Sequence, residues 1–345
     1  MKQRVLAWLR RRWLYLLIVA AFIVLVVLRF ADIKLLAQTL VRGRWPFILA
    51  AVGLQLLYYL LLGLLYRFAF AVVEVESTLR ELLPVVFASV FVSTLTPSGG
   101  IGGAALFVDD AARHGQSPAK AAEGVLLVSA AQNLALVPVL AWGLAYLAVR
   151  GALQTYMVVG STLFLLIVLT LTGALILGRW RRGWLCGLLA LMQRIINQVA
   201  RRIRRPDILP ESWAEANANE YCEAATAIVT RPRPVAYTMA MALAHTAANL
   251  ATLAVIFAAY SQPVPAAAVV AGYALSVVFA VLSVLPFDAG LMQGVMAVVY
   301  TGLGVPTATA IAIVLVFGGL NAYLPLLVGF FLLREVRAFG GGPRG

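Results

Sequence analysis

The residues best suited to chemistry in this chain sit in two short breaks. The first reads Thr96-Pro97-Ser98-Gly99-Gly100-Ile101-Gly102-Gly103 and the second Leu285-Pro286-Phe287-Asp288-Ala289-Gly290. Each interrupts an apolar run. A helix restarting after such a break presents free N–H groups and the positive end of its dipole, and together these form a ready anion site. Thr94, Thr96 and Ser98 add hydroxyl donors to Gly99, Gly100, Gly102 and Gly103 in the first break, and Asp288, Gly290 and Gln293 are the candidates at the second. The alternative is that the glycines only let helices pack closely. Covalent chemistry has little support: the sequence has no His/Glu or His/Cys metal spacing, no nucleophile elbow and no phosphate loop followed by Lys-Ser/Thr. The expectation is a non-enzymatic protein with neither cofactor nor metal.

Asp288 is the only formal charge between Pro234 and Leu333. An ionisable group deep in a membrane is a functional candidate by default. It has three open roles: reversible protonation, binding of a cationic head group, or shaping the field of the site. It also suits the N-cap of a helix starting at Ala289. His245 and Asn249 lie one turn apart on one face of an apolar segment, where interhelical hydrogen bonding is the plainer reading. Asp109, Asp110, Arg113 and His114 cluster after the first break. An i,i+4 pair of Asp109 with Arg113 is the main expectation, and a gate admitting head groups is the alternative. Gln55, Tyr58 and Tyr59 are weaker candidates for lining a cavity.

Hydrophobic residues make up 63% of the chain and charged residues 12%, with mean hydropathy +0.94. No water-soluble core is so poor in charge, so the chain reads as an all-α polytopic membrane protein. Runs of spanning length are Leu14–Leu28, Trp45–Phe68, Ala119–Val149, Ala152–Gly178, Val235–Tyr260 and Pro306–Leu333. With the two broken segments, about Leu82–His114 and Val264–Leu303, there are about eight hydrophobic segments. The breaks occupy matching places. Each is followed by a second proline, Pro118 or Pro306, then by Asn133 or Asn321 15 residues on, then by Pro138 or Pro325. Gly/Pro-interrupted segments at corresponding positions of two halves point to a transporter's binding site.

If each broken segment enters the bilayer, turns and leaves on the same side, both termini and residues 179–233 share one face. That face then receives 22 of the 27 basic residues, which makes it cytoplasmic. Trp13, Trp180 and Trp184 fall at the inner interface, and Trp45, Trp142, Tyr146, Tyr156 and Tyr260 at the outer one. Residues 1–150 and 151–345 become halves of opposite orientation with two re-entrant hairpins. Full crossing by all eight segments is the rival. The helix after Gly103 has about twelve residues before Gly115, ~18 Å, short of a ~30 Å core.

The N-terminus lacks a small-x-small cleavage site before Arg29 and reads as an uncleaved first span. Cys186 and Cys222 fall in the cytoplasmic 179–233 insertion, so no disulfide is expected. Within it, Trp184–Arg205 forms a basic amphipathic pattern suited to an anionic cytoplasmic leaflet. The net charge of +13 reflects this and the topology, with no nucleic-acid module present.

These motifs resemble a flippase-like family related to the membrane region of lysylphosphatidylglycerol synthases. Pro97–Gly103 and Arg113-His114-Gly115 match its early part. Pro286, Gly290, Leu303-Gly304-Val305-Pro306 and Leu324-Pro325 match its late part. Three features depart from the pattern. Gln293 stands where the family has a glutamate, the arginine common in the last span is replaced near Phe317–Gly319, and the charges usual near Val128–Asn133 are missing. The resemblance implies an eight-segment domain with re-entrant hairpins, moving lipids or lipid-linked molecules between leaflets of the cell membrane. With no soluble aminoacyl-transferase domain in the sequence, synthesis of aminoacylated lipid is not expected. The expected cargo is an anionic lipid. The alternatives are an ion- or proton-coupled transporter of a small solute and a non-transporting partner of a lipid-modifying enzyme.

Overall fold

The computed structural model describes residues 39–41, 43–95, 101–180, six positions between 187 and 197, 230–282 and 290–332. Among the described residues the regular structure is helical, with no strand. In chain order the helices are α1 (Trp45–Val72), α2 (Leu79–Leu95), α3 (Ile101–Arg113), α4 (Pro118–Val149), α5 (Thr155–Trp180), α6 (Pro232–Ala259), α7 (Ala266–Leu282), α8 (Leu291–Gly302) and α9 (Thr307–Leu332). Among the described residues, α1, α4, α6 and the Thr307–Pro325 stretch of α9 are long and apolar enough to cross a membrane. This is an all-α membrane protein. The expected first span, Leu14–Leu28, lies outside the described residues.

Local rules set the helix starts. A proline stands within the first two positions of α1, α4 and α6, where a missing N–H costs nothing. Ser117 caps α4 by accepting from the Lys120 N–H. Inside the helices, Thr238, Thr246 and Thr252 return their hydroxyls to carbonyls four residues back at 2.9 Å, which hides them from the apolar surroundings.

The helix ends recur in matched pairs. Glu74 (φ 60°) and Ser261 (φ 54°) turn the chain through the left-handed region just past α1 and α6. At both corners an N–H reaches back to close the helix, Val75 to Phe70 at 2.9 Å and Gln262 to Phe257 at 3.1 Å. Gly115 (φ 74°) and Gly304 (φ 90°) do the same after α3 and α8, with Gln116 bonding Ala111 at 2.9 Å and Val305 bonding Tyr300 at 3.0 Å. Lengths match as well: 28 residues for α1 and α6, 17 for α2 and α7, 13 and 12 for α3 and α8.

The hairpin arm α2 lies on α9 and the arm α7 lies on α4, so each hairpin leans on a helix of the other half. The α1–α6 pair is the most extensive contact, and it runs antiparallel. At one end Arg44 N–H donates to Ala259 O at 3.0 Å and the Tyr260 hydroxyl to Thr39 O at 2.7 Å. At the other end Glu74 pairs with Arg231. The aromatic rings of Trp45, Trp142 and Tyr156, expected at the outer interface, are exposed. The apolar face of α5, including Val159, Leu166 and Leu169, is exposed too.

Two apolar cores result. One gathers α7 and α8 with Ala51, Leu136, Leu253 and Phe317, and the other gathers α2 and α3 with Tyr59, Ala135 and Ala242. Four helices, α1, α4, α6 and α9, pass from one core to the other, and each carries polar side chains where it crosses over.

Candidate functional site

The crossover residues form a polar layer in which Gln55, Tyr59, His245 and Asn249 are buried and Gln132 and Asn321 are half-buried. On α1 and α9, Gln55 Nε2 donates to Asn321 Oδ1 at 3.1 Å, and the Tyr59 hydroxyl donates to the Asn321 carbonyl at 2.9 Å. On α4 and α6, Gln132 Nε2 lies 3.2 Å from His245 Nε2. The two side chains share one hydrogen bond, whose direction follows the imidazole tautomer. His245 Nδ1 lies 3.3 Å from the Tyr58 carbonyl on the facing helix. The ring also stacks on Tyr58, with centroids 4.0 Å apart. Tyr58 and His245 are each the fourteenth residue of a 28-residue helix, so this contact stands at mid-length, ~21 Å from either end.

Every one of these bonds joins the first half of the chain to the second. At the level of helices the two links correspond, α1 with α9 and α6 with α4. A third link ties α6 to α7, where Asn249 Nδ2 lies 3.3 Å from the Tyr273 hydroxyl. Gln55 Oε1 and Asn249 Oδ1 have no hydrogen-bond partner, although both residues are buried. An unpaired buried acceptor costs ~1–3 kcal/mol, so the centre of the molecule holds polar capacity that the fold itself does not use.

Sequence reasoning found this layer only in part. His245, Asn249, Gln55 and Asn321 were visible as polar residues in apolar spans. Gln132 and Tyr273 were missed. The signal for Gln132 was the same as for its neighbour Asn133: an amide in mid-span.

At the first break, Gly103 faces α2. A Cβ there would stand 2.6 Å from the Ser89 carbonyl oxygen and would also collide with the Ser93 hydroxyl. Its missing side chain thus lets the two hairpin arms meet. Gly102 is half-buried one residue earlier. Thr94 belongs to α2, while Thr96, Ser98, Gly99 and Gly100 lie outside the described residues. At the second break, Gly290 (φ 77°) sits in the left-handed region at the N-cap of α8, a conformation that suits glycine. Gln293 follows in the first turn and lies over Gly318 of α9; its Oε1 has no partner. Asp288 lies outside the described residues, as does most of Trp184–Arg205.

Asp109 and Arg113 form the expected i,i+4 pair at 2.8 Å, both exposed. His114 Nδ1 lies 2.8 Å from the Asp110 carbonyl and 3.5 Å from its carboxylate. Close by, Glu74 accepts from Lys120 at 2.8 Å and from Arg231. The Lys120 hydrogen bond and the Arg231 charge hold the Glu74 carboxyl below its ordinary value. Among the described residues no group of three His, Cys, Asp or Glu side chains could hold a metal.

The family model of the lysylphosphatidylglycerol synthase TM region matches residues 12–329. The chain belongs to that family. No curated protein matches it as an individual relative. Two positions singled out in the sequence meet in space: Gln293 lies over Gly318. Family and fold together make this a multi-pass membrane protein of a lipid-related family.

Proposed function

We propose that this chain is a lipid translocase and not an enzyme. It moves a lipid or lipid-linked intermediate, with an anionic phosphate in its head group, between the leaflets of the cell membrane. Its termini face the cytoplasm. The observation that carries this reading is the polar layer buried between two apolar cores, bridging the halves at mid-length. Polar groups at such depth are costly, so they mark a path for a polar cargo.

Two further features support it. The matched helices α1 and α6 run antiparallel, as counterparts in an inverted repeat must. The second hairpin arms α3 and α8, ~20 and ~18 Å long at helical rise, are too short to cross a ~30 Å core and fit re-entrant hairpins. In this reading Ser98–Gly103 and Asp288–Gln293 meet the head group from opposite faces while acyl chains stay in lipid.

The test is a leaflet assay in liposomes holding the purified protein and a fluorescent phospholipid, with an external quencher. Translocation carries the quenched fraction well past one half. Asp288→Asn should insert and purify normally yet translocate poorly; full activity would reduce Asp288 to a helix cap. Solute uptake without lipid movement would establish the small-solute transporter instead, and neither activity would leave a partner of a lipid-modifying enzyme.

A further inference from the structure

At the end of the molecule that the charge distribution assigns to the cytoplasm, an open cleft of about 840 Å³ lies between the end of α1, the corner after it, the end of α3 and the start of α6. Ligand pockets span ~300–1,000 Å³. Part of its wall is apolar, with Phe68 half-buried and Ala71 exposed, and the rest is polar or charged. Most of those charges are engaged: Glu74 holds Lys120 and Arg231, and Glu81 accepts from the Thr78 N–H at 2.9 Å. Arg67 and Glu76 are left over. Both are exposed, both line the cleft, and neither has a partner among the described residues. The Ser77 hydroxyl in the same wall has no hydrogen-bond partner.

One free cation and one free anion around an amphipathic cleft select a ligand carrying both charges. We propose that this cleft binds a phosphate ester bearing an ammonium group, the head-group chemistry of a zwitterionic phospholipid. Arg67 takes the phosphate and Glu76 the ammonium, while the apolar wall accepts the glycerol end of the chains. A purely anionic head group would gain Arg67 but face Glu76 without a counter-charge. His114, tied to Asp110 at the rim, closes one side of the same opening. The inference rests on the translocation reading only for the fate of the bound lipid; the binding itself does not depend on it.

The experiment measures binding of short-chain phosphatidylethanolamine, short-chain phosphatidylglycerol and soluble O-phosphoethanolamine to the full chain in detergent. Wild type should prefer the ethanolamine lipid about fivefold, the upper end for one exposed ion pair. Glu76→Gln should erase that preference without weakening the glycerol lipid, and Arg67→Gln should weaken both lipids. Both positions are exposed, so unchanged unfolding temperatures are expected as a control. Equal binding by wild type, or variants that change nothing, would overturn the proposal. Competition by soluble phosphoethanolamine as strong as that of the lipid would assign the cleft to a free phosphate ester and overturn the lipid assignment. A failed leaflet assay with this binding pattern intact refutes translocation alone, and a lost pattern with working translocation refutes the cleft alone.

Discussion

Replacing Gly103 with alanine separates packing from helix preference by sign. Within a helix, glycine to alanine should stabilise by up to ~1 kcal/mol. Here the new Cβ would stand 2.6 Å from the Ser89 carbonyl oxygen, where ordinary contacts begin at 3.4 Å. The shortfall is about 0.8 Å, and a backbone carbonyl inside α2 cannot rotate away, so α2 and α3 must part. Overpacking of this kind costs ~1–3 kcal/mol, which outweighs the gain. Gly294, in the first turns of α8, is the matched control: nothing lies within 4 Å of its Cβ position. Gly294→Ala should therefore hold or raise the unfolding temperature while Gly103→Ala lowers it. At ~2–4 °C per kcal/mol for a mid-sized domain, the two variants should differ by several degrees in a thermal-shift assay of the purified protein. If Gly103→Ala is as stable as wild type or more so, the close contact between the hairpin arms is refuted, and an anion site at that glycine regains ground.

Gln132→Leu strands His245 Nε2 in the interior and should destabilise by ~1–3 kcal/mol; adding His245→Leu should cost less than the sum of the two single changes, measured as a double-mutant cycle. Glu74→Gln should lower the unfolding temperature at neutral pH. Because the folded carboxyl titrates below its ordinary value of 4.5, the difference from wild type is full above that value. It fades as pH falls through the lowered one; a pH-independent difference would refute the ionic role. In a background lacking Cys186 and Cys222, a cysteine at position 110 should label from the cytoplasmic side and one at 263 from outside. External labelling at 110 would refute the re-entrant reading.

Much of the helical framework was legible in the residues. The proline starts and apolar runs placed α1, α4, α6 and α9 within a few residues, because a span must be continuous and apolar. Counting from prolines also reached Asn321, which does bridge to α1. It reached Asn133 rather than Gln132, since linear register does not say which of two neighbours, about 100° apart on the helix, faces inward. The corners at Glu74 and Ser261 were hidden for another reason: neither residue is glycine, so nothing local marks a left-handed turn. The division into two cores was invisible as well. Helices apolar all round carry no stripe to show which partner each segment meets.

The exchange of hairpins between halves sets an order of assembly. α2 packs most extensively on α9, more than two hundred residues later in the chain, and α1 finds α6 almost as late. Contacts so distant in sequence close slowly. During synthesis α2 must therefore wait for its α9 neighbour until the last helix has been made. Neither half is a module that can be completed and released by itself. A ribosome stalled after α8 would leave α2 without its mate, and the face of α2 that meets α9 would stay uncovered.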